Sequence, residues 1–204
     1  MGVIKKAFEI ILNRNKEESR IAARQVRKLL YSSRRDQGTF NDIRIVVDGA
    51  FGEYYKITED WRQENFVMAI SVIYYLHDKN NAPDFLFSWF FQLLQHQNGY
   101  IRHAAVKMIT GELGSLTVHI RFPGDKRFSK ENLNSKKSDE ILFSLFVNLH
   151  NLSTVWWLPK YRKYKYIYLL PASTYKSVQM VLAEMEDMCG TEYLNDFIRF
   201  ISNK

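Results

Sequence analysis

Five histidines and one cysteine are the residues of this chain best suited to metal binding or nucleophilic chemistry. His77, His96, His103, His119 and His150 form no HExxH or other dense ligand spacing. His96 and His103 straddle an Asn98-Gly99 turn signal, so a helical hairpin could bring them together, but no carboxylate or cysteine stands at a matching interval. No metal site is expected. Cys189 falls at the end of a predicted helix, where the dipole disfavours a thiolate, and no base lies near it in sequence, so it reads as a structural thiol. There is no glycine-rich phosphate loop and no GxSxG elbow. The reading therefore assigns no catalytic residue, no enzymatic activity and no cofactor.

Charge offers a second kind of chemistry. The chain has 204 residues, 29 Lys plus Arg against 22 Asp plus Glu, and a net charge of +7. The excess is unevenly spread. Residues 1–35 hold ten bases and three acids, and residues 36–100 four bases and nine acids. In the first segment Arg20, Arg24, Arg27 and Lys28 recur at three- and four-residue intervals, which puts them on one helical face. Such a stripe can follow a phosphate backbone, face solvent, or dock on the acidic segment. A second patch alternates bases with tyrosines: Lys160, Tyr161, Arg162, Lys163, Tyr164, Lys165, Tyr166, then Ile167 and Tyr168. Phosphate pairing with base stacking would use that composition. So would a protein interface, or a surface with rings on the core and lysine stems reaching out.

The elements that would carry these residues read as helices. Glycine (9) and proline (4) are scarce, and 46% of the residues are hydrophobic, which excludes a disordered chain. Phe85, Leu86, Trp89, Phe90, Leu93 and Leu94 share one helical face. For the following segment two stripes compete: Ile101, Ala105, Met108, Glu112 and Leu116, or the preferred Ile101, Ala104, Ala105, Met108, Ile109 and Leu113. Ile141, Leu145, Leu149, Leu152 and Trp156 make a third stripe. Val178, Val181, Leu182, Met185 and Met188 make a fourth, opened by Ser173 or Thr174 and closed by Gly190. Leu194, Phe197, Ile198 and Ile201 make a last short one behind Thr191. Weak period-two alternation in 115–122 and at Tyr164, Tyr166 and Tyr168 leaves short strands as a minor alternative. Ile141 to Leu158 is uncharged, but its Ser, Thr, Asn and His residues suit a buried core helix better than a membrane span. The amino-terminal residues match neither a signal peptide nor a myristoylation motif.

Self-similarity organises these helices. Trp61-Arg62-Gln63-Glu64-Asn65-Phe66 precedes Ile101-Arg102-His103-Ala104-Ala105-Val106 by 40 residues, and Ser19-Arg20-Ile21-Ala22-Ala23 precedes the same motif by 82. A helix, an Asn-bearing turn, an aliphatic-Arg pair and paired small residues, clearest in Pro83–Leu116, resemble a unit of the HEAT/armadillo helical-repeat family. The resemblance covers about residues 1–118. It implies an all-α fold of helical-hairpin repeats, a HEAT-like α-solenoid, with a less regular helical part at 139–204. Residues 121–138, with six bases and two acids, read as a basic loop between the two parts, and 1–204 as one domain.

HEAT-like folds host many functions. The expected function is a non-catalytic binding or scaffold module that recognises a protein or peptide. The alternative is nucleic-acid backbone binding through Arg20, Arg24, Arg27, Lys28 and the Lys160–Tyr168 patch. Small basic HEAT-like alkylpurine DNA glycosylases form a third class, for which Asp60 with Trp61, or Trp156 with Trp157, would be the candidate residues. A single cysteine makes a reducing, cytoplasmic setting the simplest reading.

Overall fold

The structure is a computed structural model that describes residues 2–32, 37–79, 82–124, 134–156 and 173–202. Every regular element among the described residues is helical. The chain divides into two compact units, Met1–Asn80 and Asn81–Lys204.

The first unit contains α1 (Val3–Asn13), α2 (Lys16–Ser32), α3 (Gln37–Asp48), α4 (Ala50–Tyr54) and α5 (Asp60–Ile73), followed by a 3-10 turn at Tyr74–Leu76. Helix α1 packs against α2, α3 and α5. Its apolar residues Ile4, Phe8 and Ile11 recur at helical spacing and are all buried. Phe8 meets Phe66 of α5 edge to face, with ring centroids 5.7 Å apart. The chain reverses between α1 and α2 at Asn15, whose Oδ1 accepts from the backbone N–H groups of Glu17 and Glu18 at 3.1 and 3.0 Å. Its amide returns a bond to the Glu18 carboxylate, a reciprocal cap of the kind that starts helices.

Both ends of α1 are closed by side chains from elsewhere in this unit. At the start, buried Asp42 of α3 accepts from the Lys5 N–H at 3.3 Å. Gly2 lies against that carboxylate so closely that a Cβ there would fall 1.9 Å from Asp42 Oδ2. At the end, Arg62 of α5 donates through Nη1 to the carbonyls of Ile11 (3.2 Å), Leu12 and Arg14 (3.1 Å). Glu59 holds the same guanidinium at 3.0 Å, and the Trp61 ring lies 4.4 Å beneath it. In return, Arg62 holds the Glu59 carboxyl below the usual carboxylate range. The Ser19 hydroxyl also donates to the Ile11 carbonyl, and Asn65 donates to Ser19.

The second unit contains α6 (Phe87–Leu94), α7 (Gly99–Leu116), α8 (Val118–Arg121), α9 (Ser135–Trp156), α10 (Thr174–Cys189) and α11 (Thr191–Ser202). Asn98 caps α7 by accepting from the Tyr100 N–H at 2.8 Å. Ser173 caps α10 by accepting from the Lys176 N–H at 3.0 Å, and Gly190 ends it with φ +83°. Helix α7 packs against α6, α9 and α10. For that reason both competing stripes of the sequence are buried: Ala104, Ile109 and Leu113 of the preferred one, and Glu112 and Leu116 of the other. A helix enclosed by several neighbours has no single apolar face to read.

Three expectations change in detail. Residues 115–122 form the end of α7 and the short helix α8, not a strand. Within 121–138, Arg121 closes α8 and Ser135–Ser138 open α9, while 125–133 lie outside the described residues. Helix α9 is half-solvated instead of wholly buried: Leu142, Leu145 and Leu149 face inward, and Ser144, His150, Asn151 and Thr154 are exposed. No helix among the described residues is long and apolar enough to cross a membrane.

The Arg62 contacts carry a test. Replacing Arg62 with Ala strips the carbonyls at the end of α1 of a charged donor, and the urea midpoint of the full chain should fall by the equivalent of about 2–3 kcal/mol. Arg62→Lys should recover less than half of that, because a single ammonium cannot reproduce the spread donors of a guanidinium. Full stability in Arg62→Ala would show that the interaction holds nothing in place.

Candidate functional site

The residues singled out by sequence part into those the structure explains locally and those it leaves at the surface. On α2, buried Ser19, Ala22 and Val26 face α1 and α5, which turns Arg20, Arg24, Arg27 and Lys28 outward, all exposed. Arg20 pairs with Glu17 at 2.8 Å, one turn back on the same helix. Arg24 and Arg27 meet no carboxylate at ion-pair distance among the described residues. The three Arg motifs are therefore unlike in their contacts. Arg102 Nη1 donates to the carbonyls of His96 and Gln97, both at 2.7 Å, in the turn just before its helix. Arg62 reaches back to α1, and Arg20 makes a local surface pair. The patch Lys160, Tyr161, Arg162, Lys163, Tyr164, Lys165 and Tyr166 lies outside the described residues.

The histidines go to separate places. His77 Nε2 lies 2.7 Å from Asp48. His96 Nδ1 accepts from the Asn98 N–H at 3.0 Å, and so belongs to the α6–α7 turn. Burial and the nearby Lys107 push the His103 imidazole below its usual range. His150 Nδ1 lies 3.0 Å from the Phe146 carbonyl, and its ring lies against that of Phe146, tilted by 42° with centroids 4.0 Å apart. No group of three or more His, Cys, Asp or Glu among the described residues could hold a metal ion. Asp60 is exposed at the first turn of α5, and the neighbouring Trp61 lies under Arg62. Trp157 is outside the described residues, as is the side chain of Trp156.

One polar cluster joins residues far apart in sequence. Asp139 of α9 takes His119 of α8 at 2.8 Å and the Tyr193 hydroxyl of α11 on the same oxygen. Cys189 at the end of α10 is buried beside them. Cys189, His119 and Asp139 are the residue types of a nucleophile with its base and orienting acid, but the electrostatics run the wrong way. Burial, followed by the Asp139 charge, pushes the Cys189 thiol up to about 11. Burial and the bond to Asp139 push the Tyr193 hydroxyl up as well. A catalytic thiolate needs the opposite shift. The cluster instead ties α8, α9 and α11 around the end of α10.

One open concavity of this unit lies between α9, α10 and α11, with a volume of about 320 Å³; another of about 300 Å³ lies between α6 and α9, lined by Phe87, Phe91, Ile141 and Asn148 among others. Phe146, Leu182, Leu194 and Ile198 supply the apolar surface of the first, and Gln179, Glu186 and Asn195 are among its polar groups. Gln179 donates to Ser153 across the α9–α10 wall at 3.0 Å, and Thr191 donates to Glu186 across the α10–α11 turn at 3.1 Å. Periodicity assigned Leu182, Ile198 and Ile201 to buried stripes. Leu182 is only half-buried, and Ile198 and Ile201 are 47% and 45% exposed, as Phe200 is at 53%. The available signal was an excess: α11 carries more large apolar residues than α9 and α10 cover, since Phe197 and Phe200 meet Phe143 of α9 while Ile198 and Ile201 stay half-exposed. Compared with known proteins, the chain matches no family model, no curated protein and no solved structure.

The raised thiol of Cys189 predicts low reactivity. Iodoacetamide at pH 8 should label Cys189 in the folded chain about a hundredfold more slowly than in urea. Because its folded value lies above the unfolded one, the thiol favours folding below pH 9, and this contribution is lost as pH rises from about 9 through about 11. Cys189→Ala should flatten that alkaline decline. Rapid labelling of the native chain would refute the assignment.

Proposed function

We propose that this chain is a non-catalytic binding module of HEAT-like build that recognises a protein or peptide partner. The observation that carries the reading is the open groove of α9, α10 and α11, lined in part by Phe146, Leu182 and Ile198, with Ile198 and, next to it on α11, Ile201 left partly in water. Contiguous exposed apolar residues with a polar surround are characteristic of interaction sites. The α6–α7 hairpin supports the HEAT-like build: Asn98 in the turn, Arg102 on the turn carbonyls, and Ala104 and Ala105 buried where the helices pack. A cytoplasmic setting accords with the lone reduced cysteine.

Ile198 offers the direct test, since its exposure makes a polar replacement compatible with folding. In crosslinking from native cells, Ile198→Ser should lose most of the captured partner protein, with a melting temperature within about 2 °C of the parent. Undiminished capture would remove the groove from the reading.

The exposed stripe on α2 favours a second reading, nucleic-acid backbone binding through Arg20, Arg24, Arg27 and Lys28. Four such contacts predict a log–log salt slope of about −3 to −4 on duplex DNA. Reversing all four charges should abolish that slope. Unchanged affinity would sink this alternative.

A further inference from the structure

The groove has a charge as well as a shape. Among the described residues of α10 and α11, five carboxylates (Glu184, Glu186, Asp187, Glu192 and Asp196) face two bases (Lys176 and Arg199). In a chain of net charge +7 this is a local reversal of sign. Asp196 is partly answered by Arg199 at 3.1 Å. Glu186, on the wall of the groove, accepts from the Thr191 hydroxyl, and Glu186, Asp187 and Glu192 are all exposed. Leu194 and Ile198 of α11 line the groove, and exposed Ile201 follows them at helical spacing, i, i+4 and i+7. At 1.5 Å per residue that strip runs for about 10 Å, two turns of helix. A facing helix presents its own apolar residues at the same interval, so its side chains can enter the groove between α9 and α11 in register.

We infer that the α9–α10–α11 groove takes a basic amphipathic helix of a partner protein, apolar face down, with lysines or arginines over the carboxylates of α10 and α11. This rests on the protein-binding reading above and names the class of partner. Charge complementarity selects this occupant. An acidic helix or a nucleic-acid backbone would bring like charge against Glu186 in the groove and exposed Glu192 beside lining Thr191, and phosphates would gain nothing from the Leu194–Ile198–Ile201 strip. Close charges on the rim also favour encounter with a cationic helix at physiological salt, where fields reach about 8 Å.

Two synthetic helices of about 18 residues with the same leucine face, one lysine-rich and one glutamate-rich, would decide this by fluorescence anisotropy on the full chain at about 0.15 M salt. The lysine-rich helix should bind about tenfold more tightly than the glutamate-rich one. Ile198→Ser should weaken it several-fold. The exposed pair Glu186→Lys and Glu192→Lys should weaken it about tenfold and narrow or invert the preference, and this holds as a test even if Ile198→Ser disturbs packing. Failure of the lysine-rich helix to bind, equal or tighter binding of the glutamate-rich helix, or lysine-helix affinity unmoved by the charge-reversal pair overturns the inference. Self-association lost on Ile198→Ser would assign the groove to a second copy and also overturn it. In each case the broader reading stands or falls separately, on whether Ile198→Ser loses the native partner.

Discussion

Helix ends leave backbone carbonyls and N–H groups that the helix cannot satisfy, and the first unit is organised around closing them on α1. Asp42 sits at the positive end and Arg62 at the negative end, so each charge also opposes the helix dipole. Neither residue belongs to α1. Fixing α1 therefore fixes α3 and α5 relative to it, and the Phe8–Phe66 contact and buried Ile11 follow from that placement. Gly2 is part of the same constraint, because any side chain there would displace the Asp42 carboxylate.

The second unit uses the same solution with different connectivity. Arg102 closes the turn after α6, and Arg121 donates to the Gly114 carbonyl at 2.7 Å and to the Thr117 hydroxyl at 3.0 Å near the end of α7. Burial lowers the Arg102 pKa, which is the electrostatic cost of keeping a cation inside; two carbonyl bonds offset it. Several arginines of this basic chain are thus structural, and their charge is spent on carbonyls. The cations of α2 reach solvent instead, Arg20 in a pair with Glu17.

Net charge is consequently a poor guide to what each surface presents. The exposed side of α2 is basic, whereas the exposed sides of α10 and α11 are acidic and bordered by uncovered aliphatic residues. The two surfaces differ in sign, so a single property such as pI describes neither of them. The same separation applies to chemistry. His119, Asp139, Tyr193 and Cys189 converge, yet burial and the Asp139 charge hold the thiol protonated, and the convergence serves to join helices.

Much of the helical framework could be read from the chain itself, because apolar spacing, caps and stops are local. Ser173 or Thr174 and Gly190 bounded α10, the Asn98-Gly99 turn signal preceded α7, and the scarcity of glycine and proline matched a helical chain. The arginine motifs were visible as well, but their contacts were not. Ile101-Arg102 and Trp61-Arg62 look alike, yet one arginine closes the adjacent turn and the other reaches a helix about 50 residues away. The groove was hidden for the opposite reason. Its walls come from three helices, and Leu182 and Ile198 looked like ordinary members of buried stripes. Periodicity states which side of a helix is apolar. Only the tertiary packing decides whether a neighbour covers that side, because coverage depends on the position and length of other helices. For this protein the sequence by itself determined where helices begin, end and turn an apolar face. The fold decided which of those faces, and which charges, remain exposed to solvent.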